Sequence, residues 1–373
     1  MDRQVEVSAK LERLRAMMSD RGLSGLLLRD RGNFAWLTAG GLSYVNAGSE
    51  TGVGALLVTA DRFCLVANNI EARRFAEEEL VGLDLDVVDY PWHEAWAERE
   101  AVAKIIDPAS VGRDGPAGAE GAGHDVAAAV TVARGRLLEP EVERYKALGA
   151  LTARTTEAVC RRIERGMSED DVVAMLHHDL AKEGVRAPVC LVAADERIAL
   201  RRHPISKGRP IDRRVMVVVC AEARGLIVAL TRIVTFEPVD AELGAKHRAV
   251  CEIEAAACAA TKPGRTLGEV FHEIVGAYER RGYGEEWRLH HQGGPCGYAG
   301  RDAFAVPGSR AAVQGEQAFA WNPSITGTKS EDTVLVRDDG SVEPISEPGP
   351  GWPTVSVEAG GLSMARADVL TRA

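Results

Sequence analysis

A chain of 373 residues is too long for one ordinary core and suits two domains; its 46% hydrophobic and 27% charged residues, with no low-complexity tract, are those of a soluble globular protein. The formal charge of −10 argues against a nucleic-acid backbone as partner, because that partner needs a basic face. Seven cysteines without a C-x-x-C pair read as reduced thiols, the amino terminus lacks an apolar signal core, and no run approaches the roughly 20 apolar residues of a membrane span, so a cytoplasmic protein is expected.

Leu11, Leu14 and Met18 recur at helical spacing, and Gly22 stands where a left-handed cap would stop the helix. Gly25–Arg29 reads as a buried strand and Asn33–Gly40 as a turn into a second helix. Strands are expected at Gly54–Thr59, Arg62–Ala67 and Leu83–Tyr90, with a helix over Ile70–Leu80, which together make an α/β domain with a mixed sheet over residues 1–138. Trp92 and Trp96, four apart, read as packed on a helix face, the alternative being a reach toward another domain or subunit. Residues 107–123, rich in Gly, Ala and Pro, read as a connector.

A helix opens near Pro140 and Glu141, with Tyr145, Leu148, Val159 and Ile163 on its inner side and Gly166 at its end. Ser168–Asp171 and Thr266–Glu269 spell capping boxes, each opening an amphipathic helix closed by Gly184 or Gly282. Val189–Ala193, Val215–Ala221 and Leu226–Phe236 are strand-like by their β-branched content. The pattern predicts two helices over a curved antiparallel sheet in a domain of residues 139–345. The tail, 346–373, with Gly349-Pro-Gly-Trp-Pro353, is expected as an extended segment lying on the domain or on a neighbour.

The stretch His290-His291-Gln292-Gly293-Gly294-Pro295-Cys296-Gly297 gathers imidazole, amide and bare backbone, as the floor of a site requires. Its spacing, His-x-x-Gly followed four residues later by Gly297, resembles the histidine motif of the creatinase/prolidase/methionine-aminopeptidase family, with Gly294 where that family has a second histidine. The resemblance covers residues 8–340 and extends to Asn33-Phe-Ala-Trp-Leu-Thr-Ala-Gly40 in the amino-terminal half. It implies an α/β domain followed by an α+β pita-bread domain, a homodimer, and a small-molecule or short-peptide substrate.

In the family's metal-dependent members two Asp, one His and two Glu hold a pair of divalent ions, whose mutual repulsion several anionic oxygens must offset. Here Ala229-Leu-Thr-Arg232 matches the second aspartate motif at Ala229, and counting back eleven, with Gly225 in the turn, reaches Val218. Gly294 takes the histidine position and Asn322, in Trp321-Asn-Pro-Ser324, the first glutamate position. Lys329-Ser-Glu-Asp-Thr-Val-Leu-Val336 retains the last glutamate as Glu331. Thr231-Arg232, Gly293, Gly297, Pro323 and Asp332-Thr333 keep register around these changes. With four of five ligands replaced by neutral residues, no metal and no other cofactor is expected. The emptied pocket should be roomier and less negative than a peptidase pocket.

His203, in Arg201-Arg-His-Pro204, matches a histidine that creatinase, a metal-free branch of the family, uses for proton transfer, and a free imidazole titrates near ~6.5. His290 matches the histidine that points at substrate, and Glu331 is left for acid/base work or for gripping a cation. The expected catalytic residues are therefore His203, His290 and Glu331, with Arg232, Lys329, Asn322, Gln292 and Thr231 on the substrate. Creatine itself is not expected, because Thr231 stands where creatinase has the glutamate that holds its guanidinium. His290 and His291 as strand neighbours would put one imidazole in the pocket, and Cys220 and Cys296 read as buried inert thiols. The leading expectation is a metal-independent, creatinase-like hydrolase of a C–N bond in a small polar metabolite, or a related lyase or cyclase. The rivals are a catalytically silent peptidase-like binding protein and a metallo-aminopeptidase or Xaa-Pro peptidase; fold alone does not choose among them.

Overall fold

Helix α1 (Arg3–Arg21) begins where the Asp2 carboxylate accepts the Gln4 N–H and ends where Gly22, at φ 64°, turns its own N–H onto the Met18 and Ser19 carbonyls. In the computed structural model, which describes residues 2–115 and 123–372, the chain divides into two compact units. One comprises the residues up to Glu141 with Arg224–Leu226, the other Val142–Ala223 with the residues from Ile227 on.

The first unit is built on a mixed sheet. Strand β1 (Gly25–Asp30) pairs antiparallel with β2 (Thr51–Thr59), and β2 with β3 (Phe63–Asn68). β4 (Asp86–Tyr90) runs parallel to β3, β5 (Val111–Arg113) parallel to β1, and β6 (His124–Asp125) parallel to β5. Helix α2 (Arg31–Leu37) is capped by Asp30 and buries Phe34 and Trp36. Three expectations need correction. The helix expected over residues 70–80 is one α-turn, Ala72–Arg74, widened into a π-turn, Phe75–Glu79. That widening carries Glu79 to the Leu42 N–H at 2.8 Å while Phe75 packs on Phe34. Trp92 and Trp96 lie ahead of the helix Ala97–Ala103, not on it; they are 63% and 58% exposed, and Trp96 takes φ 72°. Finally, the expected connector 107–123 contributes β5 to the sheet, and its residues 116–122 lie outside the described residues.

Helix α3 (Glu139–Cys160) belongs to the second unit from Val142 on, where it buries Tyr145, Leu148 and Val159. α4 (Glu169–Lys182) and α6 (Leu267–Arg280) open with reciprocal capping boxes, Ser168 with Asp171 and Thr266 with Glu269. Between them run β7 (Arg186–Ala194), β8 (Arg214–Ala223) and β9 (Leu226–Thr235), in the order β9-β8-β7. Helix α5 (Ala241–Ala260), which the sequence patterns do not announce, joins α6 to cover a second sheet. That sheet has the order β10 (Gly293–Cys296), β11 (Gln317–Trp321), β12 (Asp332–Val336), β13 (Val342–Pro344). Val250, Ile253, Phe271, Ile274, Phe319, Trp321 and Val334 form the core between these helices and strands. The tail is a hairpin, Thr354–Ala359 with Leu362–Ala367, followed by Leu370–Thr371 parallel to β9, not a single extended segment. Among the described residues no helix is long and apolar enough to cross a membrane.

The capping boxes permit a direct check. In Thr266→Ala the two bonds of the hydroxyl are lost, the one it accepts from the Glu269 N–H at 3.2 Å and the one it donates to the Glu269 carboxylate at 2.8 Å, while the backbone N–H of residue 266 keeps its bond to that carboxylate. A loss of about 1 kcal/mol is expected, read as a lower urea midpoint with unchanged slope.

Candidate active site

Strands β8 and β9 are joined by Arg224 and Gly225, at φ 50° and 81°, the two-residue loop that suits the twist of a hairpin. This hairpin carries the positions matched to the two aspartates. Val218 is buried in an apolar cluster with Met216, Ala193 and Ile233. Ala229 is buried too, its N–H and carbonyl both bound to Thr333 Oγ1, at 3.0 and 2.9 Å. Gly294 pairs with Ala320 across β10 and β11, and a Cβ placed on it would lie 2.2 Å from the Ala303 carbonyl oxygen. Asn322 is buried, with its Oδ1 unpartnered.

Glu331 sits at the end of the loop before β12 with both oxygens engaged. Arg301 reaches Oε1 at 3.0 Å; Lys329 and Thr231 Oγ1 reach Oε2 at 2.6 and 2.9 Å. Burial alone would push this carboxyl up, but Lys329 and Arg301, with the bonds from Lys329 and Thr231, hold it at about 2. These residues do not fit a pair of divalent ions. One carboxylate survives, two cations cover it, and the other positions offer apolar side chains, bare backbone or an amide. Nor are the vacated positions the roomier pocket the sequence implied: Val218 is packed, and the backbone at Ala303 stands against Gly294.

The imidazoles assemble beside this cluster. His203 is exposed, His290 buried and His291 half-buried. The Nε2 atoms of His203 and His290 are 3.1 Å apart, and the ring centroids of His290 and His291 are 4.5 Å apart. The one-imidazole expectation therefore fails. His290 and His291 precede strand β10 in irregular backbone, where alternation does not apply, and both rings meet His203. Burial lowers the basicity of all three, and the Lys329 ammonium and Arg301 guanidinium lower it further for His203. His290 falls to about 2 and His291 to about 4. All three rings are neutral near pH ~7.

Several positioning residues are visible only in three dimensions. Arg202 ties the His203 segment to Glu286 at 2.6 Å and to Ser324 Oγ at 3.2 Å. Ser324 Oγ in turn lies 3.2 Å from His290 Nδ1. Tyr278 donates to Gln292 Oε1 at 2.9 Å, and the Gln292 amide donates to the His290 carbonyl. Gln292 is thus a brace under the histidines, not a lining residue. Arg232 is likewise out of reach of a substrate: it is wholly buried and ion-paired with Glu157 and Asp332, at 3.0 and 3.2 Å. Arg301 is the residue the sequence reading missed; its one linear signal is an arginine four places after Gly297, in Gly300-Arg301-Asp302. Its Nε is buried with no hydrogen-bond partner. Cys220 and Cys296 are thiols whose burial pushes them up to about 11 and about 12. The arrangement offers an accessible neutral imidazole as proton acceptor beside two cations that together carry one counter-charge.

The model of metallopeptidase family M24 matches residues 143–338, and that of the creatinase/prolidase N-terminal domain matches residues 10–152. A putative dipeptidase of Bacillus subtilis (strain 168) is 24% identical over 237 residues, 60% of this chain and 64% of that protein, so the match spans less than two thirds of the relative's length. The prolidase of Pyrococcus horikoshii OT3 superposes with a TM-score of 0.76 at 17% identity, over 92% of this chain and 99% of that one. The dipeptidase PepE of Mycobacterium ulcerans does so with a TM-score of 0.75 at 19% identity, over 92% and 96%. At these identities the superpositions speak for the fold.

Proposed function

The chain belongs to metallopeptidase family M24 and has the two-domain pita-bread fold, and from that premise we propose that it hydrolyses a C–N bond of a small polar metabolite without the family's paired metal ions, as a creatinase-like enzyme. The observation that carries this reading is the closure of Glu331 by Lys329 and Arg301, while His203 keeps an accessible ring against His290. His203 is the general acid/base. It takes a proton from the attacking water and returns one to the leaving nitrogen, steps that need a neutral imidazole within hydrogen-bond reach. His290, fixed by Ser324, orients His203 through their 3.1 Å contact. Glu331 is too acidic and too firmly paired to move protons; it holds Lys329 and Arg301 in place.

A panel of small amides, ureido acids and Xaa-Pro dipeptides, assayed with and without chelator, tests the reading. Turnover that ignores chelator and falls about 10²–10⁴-fold in His203→Ala is expected. Xaa-Pro cleavage abolished by chelator and restored by manganese would return the metallopeptidase. Ligand or protein binding unchanged in His203→Ala, with no turnover of any substrate, would make the chain a silent binding protein.

A further inference from the structure

His203 comes from the loop before β8, and His290 and His291 from the loop before β10, yet each offers a ring nitrogen within 4.8 Å of the other two. The Nε2 atoms of His203 and His290, at 3.1 Å, are nearly at the separation of about 3.3 Å that two nitrogens adopt on one tetrahedral ion with bonds of about 2.0 Å. His290 is already held as a ligating imidazole is held. Its Nδ1 is engaged by Ser324 Oγ, which Arg202 also binds, and its Nε2 is turned to His203. His291 Nδ1 is buried without a hydrogen-bond partner, and the His291 ring rests on Phe304 at 4.6 Å between centroids.

We propose that His203, His290 and His291 together bind one borderline divalent transition ion, of the zinc or cobalt class, in a site that uses none of the five metal positions of the family. Three nitrogens and no carboxylate suit such an ion and disfavour magnesium or calcium. Lys329 and Arg301, less the charge of Glu331, leave one net positive charge alongside. That charge weakens the cation's hold and favours an anion at the open fourth position. An ion on His203 occupies the lone pair that proton transfer needs, so the bound ion inhibits. The inhibitory consequence rests on the role proposed above for His203; the binding does not.

Zinc titrated calorimetrically into the metal-stripped full-length protein near neutral pH tests the site. One ion per chain is expected, held about tenfold more weakly in Ser324→Ala, the usual cost of removing a partner behind a ligand. Binding is expected to disappear in His203→Ala, a variant at an exposed position that keeps its fold, and in His290→Ala. Cobalt should give the visible absorption of a tetrahedral nitrogen site in the natural protein and not in His203→Ala. Absence of any binding, or zinc retained by the His203→Ala/His291→Ala double variant, overturns the proposal. For any substrate turned over, one equivalent of zinc is expected to stop turnover and chelator to restore it. Turnover unchanged with zinc bound would remove His203 from proton transfer and leave the ion site standing.

Discussion

Glu331→Gln is expected to lose about 3–5 kcal/mol of stability at neutral pH, the cost of leaving buried charges without their partner. The carboxylate is 3% exposed and is the anion facing both Lys329, itself 4% exposed, and Arg301, 10% exposed. Glutamine keeps the shape and the bond to Thr231 but removes the charge, so two cations are left without it. The pH dependence separates this from a packing defect. The folded pKa of Glu331 lies near 2, below its ordinary 4.5. The group's stabilisation is thus fully present above about 4.5 and is lost as pH falls toward about 2. Urea unfolding of the natural protein and of Glu331→Gln should therefore give a gap that is constant above that window and closes within it. A gap that does not change with pH would mean the carboxylate is not the counter-ion described here. Lys329→Met tests the other side: Glu331 then keeps Arg301 alone, and the expected loss is smaller.

What the sequence made legible was whatever has a short-range cause. Gly22, Ser168 and Thr266 mark helix ends because each meets an unpaired backbone group within three or four residues, and all three act as caps. The order of the hairpin, the glycine-rich stretch and the Glu331 strand followed from motif register. Helix α5 escaped because Ala, Cys and Val lie on most of its sides, and both faces find neighbours: one meets α6, the other the hairpin Thr354–Ala359/Leu362–Ala367. The period that betrays an amphipathic helix is absent there. Arg202 and Arg301 escaped for a different reason. A linear reading sees two arginines among forty-five lysines and arginines, and only the fold brings one to Ser324 and the other to Glu331.

The same distinction bears on how a metal site is lost. Replacement of four ligands on an unchanged backbone would be a loss of side chains alone, and reversion would restore it. Gly294 indicates otherwise. The Asp302 N–H donates to the Pro295 carbonyl at 2.8 Å and the Ala305 N–H to the Gly293 carbonyl at 2.9 Å, so the segment 302–305 is stitched along β10. Its Ala303 oxygen lies where the first side-chain atom of any other residue at 294 would be.

Gly294→Ala is therefore expected to cost about 3 kcal/mol or more, at the upper end for overpacking, because backbone on both sides must move. Gly300→Ala is the control: a Cβ there meets nothing within 4 Å, and stability should stay within about 0.5 kcal/mol. Thermal unfolding of the two variants reads the difference directly. The consequence for reversion is stronger. Val218→Asp, Ala229→Asp, Asn322→Glu and Gly294→His, made together, restore every ligand type, yet the histidine would have to enter against Ala303, and the first aspartate would enter an apolar cluster. The combined variant is expected to lose its cooperative fold before it gains manganese. A folded, manganese-binding product would show that the 302–305 segment yields and that side chains alone separate these positions from a manganese site.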